Sequence, residues 1–87
     1  MKTLLKFEAD WCGPCQQIKP MVNAVLSNAK DVQLQTVNVD EAENRALVQK
    51  HGVRAIPTLV LLDDKNAIIN THRGALNRQE FEAFVAA

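Results

Sequence analysis

The chain has 87 residues, of which 47% are apolar, and its ten Lys and Arg balance its ten Asp and Glu to give no formal net charge. That length allows one small domain, residues 1–87, and that apolar fraction excludes intrinsic disorder. Neutrality leaves no basic footprint for nucleic acid or an anionic membrane, and the longest apolar run, Ile56 to Leu62, is too short to span a bilayer.

Leu4, Leu5, Phe7 and Ala9 read as a short strand that ends at Asp10-Trp11. From Gly13 to about Ala29, Ile18, Met21, Val22, Val25 and Leu26 recur at the spacing of an amphipathic helix. Pro14 suits the first turn of that helix, whereas Pro20 in its interior is expected to kink or split it. Val32 to Val39 alternates as a strand, with one break in the alternation. Asp40 is expected to cap a helix running to about His51 and closed by Gly52. Thr58 to Leu62 is continuously apolar after Thr58, the mark of a strand buried on both faces. Asp63-Asp64-Lys65-Asn66 is a polar turn, and Ala67 to His72 is the return strand of a hairpin. Asn77 with Glu80 makes a capping box for a last helix, whose buried stripe is Phe81, Phe84 and Val85. The order β-α-β-α-β-β-α gives a mixed α/β fold with helices on both faces of a sheet.

The only two cysteines lie in Trp11-Cys12-Gly13-Pro14-Cys15, between the first strand and the first helix. Two intervening residues let the side chains meet one helical turn apart, within reach of a disulfide, so the pair can cycle between dithiol and bridge. Too little apolar sequence follows Met1-Lys2-Thr3 for a signal peptide, so the expected compartment is the reducing cytoplasm. There a lone pair is catalytic or metal-binding rather than a staple. A loop this short also constrains the unfolded chain little. Zinc wants four ligands, and neither His51 nor His72 has a partner at metal-ligand spacing, so no metal is expected.

WCGPC at a strand-to-helix junction, Ala55-Ile56-Pro57-Thr58 before a buried strand, and Arg73-Gly74-Ala75-Leu76 before the last helix together resemble the thioredoxin family. The three motifs stand in that family's order and spacing, and the similarity covers nearly the whole chain. Thioredoxins usually carry a further strand and helix ahead of the strand that feeds the motif. The resemblance is therefore to a thioredoxin trimmed to its minimal core, a four-stranded mixed sheet flanked by three helices.

The resemblance implies a protein-disulfide reductase that needs no bound cofactor beyond the Cys12–Cys15 pair. Its partners would be disulfide-containing proteins and a thioredoxin reductase that recharges it, and a neutral domain of this size defaults to monomer. Cys12, ahead of the helix, sits where free N–H groups stabilise a thiolate and is the expected nucleophile; Cys15, one turn inside, is expected to resolve the mixed disulfide. Gly13 and Pro14 shape the turn, and the family ties Gly-Pro to a reducing poise. Trp11, Ile56, Pro57, Gly74 and Ala75 are the implied substrate surface. A cis Ile56–Pro57 bond is expected, with the Ile56 backbone pairing an extended substrate segment. The rivals are a glutaredoxin-like enzyme using glutathione, against which Gly-Pro speaks, and a binding subunit that uses the same surface without redox chemistry.

Two departures from the family pattern stand out. Where thioredoxins usually bury an aspartate beneath the resolving cysteine, this chain has Lys6; Glu8 follows on the same strand face, and Thr36 stands where a lysine is usual. The plainer expectation is that Lys6 and Glu8 form an ordinary solvated pair. The sharper alternative is that Glu8 accepts the proton of Cys15 while Lys6 favours the thiolate. Arg73, where an apolar residue is usual, biases the rim toward acidic partners or is simply solvated.

Overall fold

The computed structural model describes residues 1–87. Strand β1 (Lys2–Glu8) leads to helix α1 (Gly13–Leu26), strand β2 (Val32–Asn38), a 3-10 turn (Ala42–Asn44) and helix α2 (Arg45–Lys50). Strands β3 (Thr58–Leu62) and β4 (Ile68–Arg73) and helix α3 (Arg78–Val85) complete the chain. The sheet order is β2-β1-β3-β4, with β1 parallel to β2 and antiparallel to β3, and β4 antiparallel to β3. No helix is long and apolar enough to cross a membrane.

Period-two alternation in β1 divides the core between two layers. Leu4 packs with Ile18, Val22 and Val25 of α1 and with Phe81, Phe84 and Val85 of α3. Leu5 and Phe7 point the other way, to Val37, Val60 and Leu62 and to Leu47 and Val48 of α2. The expected double-sided strand is β3, every residue of which is buried. The break in the Val32–Val39 alternation marks a change of buried face. Val32 joins the α1/α3 layer and Val37 the α2 layer along one uninterrupted strand.

Pro20 does not split α1, which runs as one element through it. The carbonyl it leaves without a helical partner is that of Gln16, and both residues are on the exposed side where water reaches them. Asp40 is not a helix cap: the 3-10 turn starts after Glu41 with no side-chain cap, and α2 begins only at Arg45. Gly52 ends the α2 region in the left-handed conformation, φ 59°. Asn77 and Glu80 form both halves of the capping box on α3.

His51, at the end of α2, sets its ring against Phe7 with centroids 5.7 Å apart. Burial, and then the charge of Lys50, lowers its pKa from the ordinary 6.5. As pH falls below that value the unfolded chain takes up this proton before the folded one, so the His51 contribution to stability is present above it and fades below. His51→Gln is therefore expected to make the stability loss between pH 7 and pH 5 shallower, read from urea midpoints across that range.

Candidate active site

The parallel pairing of β1 with β2 ends at Glu8 and Asn38, so the segments that follow both strands emerge side by side at one edge of the sheet. Cys12 occupies the N-cap of α1 with extended backbone (φ −84°, ψ 104°), and Pro14 lies in the first turn as expected. The two cysteines form a disulfide, with Cα atoms 5.3 Å apart. The Cys15 N–H donates to Cys12 Sγ at 3.2 Å, so the helix's opening amide is aimed at the first sulfur. Cys15 is fully buried and Cys12 nearly so, packed with Ala9, Val39 and Ile56.

The Ile56–Pro57 bond is cis. The Ile56 carbonyl lies 3.8 Å from Cys12 Sγ, a van der Waals approach because a disulfide sulfur carries no proton. The Ile56 N–H donates to no group in the chain. Pro57 itself is buried, so its ring adds no exposed area to the surface implied for it and instead fixes the path of Ile56. Gly74 donates its N–H to the Pro57 carbonyl at 2.8 Å, tying the loop after β4 to this segment. Its φ of 97° is one that side-chain-bearing residues avoid, while a Cβ there would meet nothing within 4 Å. Gly74→Ala is thus expected to cost about 1–3 kcal/mol of stability from backbone strain alone, read by urea unfolding. Ala75 is exposed beside it.

Trp11 is 71% exposed, and its Nε1–H donates to Asp40 Oδ2 at 2.8 Å. This contact engages Asp40 Oδ2, and Asp40 stands one residue ahead of the cap position, Glu41. The contact was not anticipated from the sequence, although an indole donor beside the end of β1 and an acid beside the end of the parallel β2 were a usable signal. Between Trp11 and the start of the Ile56 segment lies a groove of about 400 Å³, walled by Trp11, Val39, Val48, Val53 and Ile56, with Arg54 its charged residue. Gly13 and Pro14 are exposed at the head of α1.

Lys6 and Glu8 are not a solvated pair. Lys6 is 2% exposed and Glu8 9%, and Lys6 Nζ lies 2.7 Å from Glu8 Oε1. Both side chains share the face of β1 that carries Leu4, and α1 and α3 cover that face, with Leu59 of β3 directly beside Lys6. No donor is aligned on Glu8 Oε1 as a hydrogen bond, so the close approach of Lys6 is ionic and poorly directed. Arg73 ends β4, exposed.

A thioredoxin family model matches residues 1–87. A thioredoxin of Pseudomonas aeruginosa is 40% identical over 86 residues, covering 97% of this chain and 76% of the relative. One of Haemophilus influenzae is 37% identical over 83 residues, covering 94% and 75%. Among solved structures, oxidised mitochondrial thioredoxin 3 of Saccharomyces cerevisiae has a TM-score of 0.85 at 30% identity, covering 98% of this chain and 76% of that one. The thioredoxin of Fasciola hepatica gives 0.85 at 30%, covering 98% and 78%. With a disulfide at the mouth of a helix, a fold of the same architecture and relatives matched along almost its whole length, the chain belongs to the thioredoxin family and is a thiol–disulfide oxidoreductase, a disulfide reductase.

Proposed function

We propose that residues 1–87 act as one thioredoxin domain that reduces disulfides in partner proteins, with Cys12 attacking and Cys15 resolving. The observation that carries the assignment is the Cys15 N–H aimed at Cys12 Sγ. Of the two sulfurs, the one at the N-cap receives a helix amide, and that amide stabilises negative charge on it. In the first step the Cys12 thiolate attacks one sulfur of the substrate disulfide; a mixed disulfide forms, and the other substrate sulfur leaves as thiolate. In the second, the Cys15 thiolate attacks Cys12 Sγ, closing the Cys12–Cys15 bond and releasing the second substrate thiol. Two electrons pass to the substrate, and the protein ends in the oxidised form that the structure shows. A thioredoxin reductase returns it to the dithiol, in a reducing compartment such as the cytoplasm.

The unpaired N–H and C=O of Ile56 supply the edge along which an extended substrate segment pairs, and the free space at Gly74 admits its backbone. Ala75 completes the rim. Trp11 and the groove beside it take the apolar side chains flanking the substrate's cysteine. Asp40 holds the indole in place. Asp40→Ala is therefore expected to raise KM for a protein disulfide by about 2–10-fold with little change in kcat, as loss of one exposed, charge-assisted hydrogen bond requires. Trp11 is the only tryptophan, so its fluorescence reports the loosened ring directly.

Insulin reduction by the wild type and by the Cys12→Ser/Cys15→Ser double variant tests the function. A reductase loses all activity in the double variant. Unchanged cellular function of that variant would instead mark the protein as a binding subunit.

A further inference from the structure

The two edges of the sheet are protected differently. The β4 edge has a register irregularity at Leu61/Leu62 and ends in Arg73, both of which discourage pairing with another chain. Strand β2, Val-Gln-Leu-Gln-Thr-Val-Asn, has no charge, no proline and no bulge along its seven residues, and it is the other edge. Its backbone polarity can be assigned. Lys2 N–H bonds to Asp31 C=O at one end of the β1–β2 ladder, and Val39 N–H bonds to Glu8 C=O at the other. Odd-numbered residues of β2 therefore face β1, and alternation turns the backbone groups of Leu34 and Thr36, the Val32 carbonyl and the Asn38 N–H outward. Neither Leu34 nor Thr36 uses its N–H or C=O in a turn or side-chain hydrogen bond.

We infer that this edge pairs with the same edge of a second copy of the chain, antiparallel about a twofold axis through Gln35. The strand is complementary to itself in that register. Leu34 of one copy exchanges both hydrogen bonds with Thr36 of the other, and the Val32 carbonyl accepts from the Asn38 N–H. Gln35 stands opposite Gln35, where the two amides can bond. Leu34, 37% exposed on the α1/α3 face, becomes covered by the second copy. The seven residues of the strand carry no charge, so the twofold pairing sets no like charges opposite one another. The pairing involves one short strand and buries far less than a standard interface of about 1,600 Å², so the dimer is weak, with a dissociation constant on the order of 0.1–1 mM. The monomer expected from the sequence is its dilute form.

Sedimentation of the full chain from about 10 µM to 1 mM is expected to show a rise toward dimer that Thr36→Pro abolishes. The Thr36 N–H points outward, so the proline removes no bond of the native ladder. Register is tested in a Cys12→Ser/Cys15→Ser background. Residues opposed at a non-hydrogen-bonded antiparallel site have Cα atoms about 4.5 Å apart, within disulfide range. Gln35→Cys is therefore expected to cross-link into dimers under mild oxidation at least tenfold faster than Gln33→Cys, whose two copies lie roughly 14 Å apart. A mass that stays monomeric to 1 mM, or equal cross-linking at positions 33 and 35, overturns the proposal.

Discussion

Cys15→Ser is expected to arrest the protein as a covalent complex with its substrate, and Cys12→Ser to form no such complex. The difference follows from the second step. Once Cys12 is joined to the substrate sulfur, only a thiolate one helical turn away can displace it, and a serine hydroxyl is far too weakly acidic to do so. Steady-state insulin reduction should fall on the order of 10³-fold or more in either variant, because the two cysteines act as a unit. Non-reducing mass spectrometry separates them: the Cys15→Ser protein accumulates the mass of a mixed disulfide, and the Cys12→Ser protein does not. The reverse pattern would exchange the two roles, against the amide aimed at Cys12 Sγ.

Lys6→Met is expected to destabilise the fold by about 3–5 kcal/mol, because it leaves the Glu8 carboxylate buried without its counter-charge. In a domain of this size each kcal/mol lowers Tm by about 4–8 °C, so the variant melts tens of degrees early. The pair itself is poor evidence for stability, since taking two charges out of water costs about as much as their attraction returns. Lys6→Met/Glu8→Leu should therefore recover the wild-type urea midpoint or exceed it. A double variant as unstable as Lys6→Met would show that the site needs the lysine stem rather than the ion pair. Glu8→Gln asks a separate question with the same pair. If Glu8 accepts the proton of Cys15, the pH profile of mixed-disulfide release changes in Glu8→Gln; an unchanged profile assigns that proton to solvent.

What could be read from the sequence was local, and what could not depended on packing. The Cys12-Gly13-Pro14-Cys15 turn, the Asn77/Glu80 capping box, the glycine after α2 and the buried run of β3 each depend on residues within a few positions of one another. The cis bond before Pro57 came from family resemblance and not from any local signal. Asp40 shows the opposite case. Its residue type and position favour a helix cap, but the cap position falls one residue on, at Glu41, and Asp40 instead accepts from the Trp11 indole at 2.8 Å. Lys6 and Glu8 look like any exposed pair on an alternating strand until α1 and α3 are laid over that face. Pro20 looks like a helix breaker until it and Gln16, whose carbonyl loses its i+4 donor, are placed on the exposed side of α1. In each case the competing term was a long-range contact or its absence.

On the proposed function, the Cys12–Cys15 pair passes electrons from a thioredoxin reductase to protein disulfides. Insulin-disulfide reduction should be measured in parallel with NADPH and thioredoxin reductase, and with glutathione, its reductase and NADPH, at equal protein concentration. Rapid turnover with thioredoxin reductase and only background turnover with glutathione is the predicted result. Efficient turnover with glutathione alone would contradict it and place the protein with the glutathione-dependent enzymes.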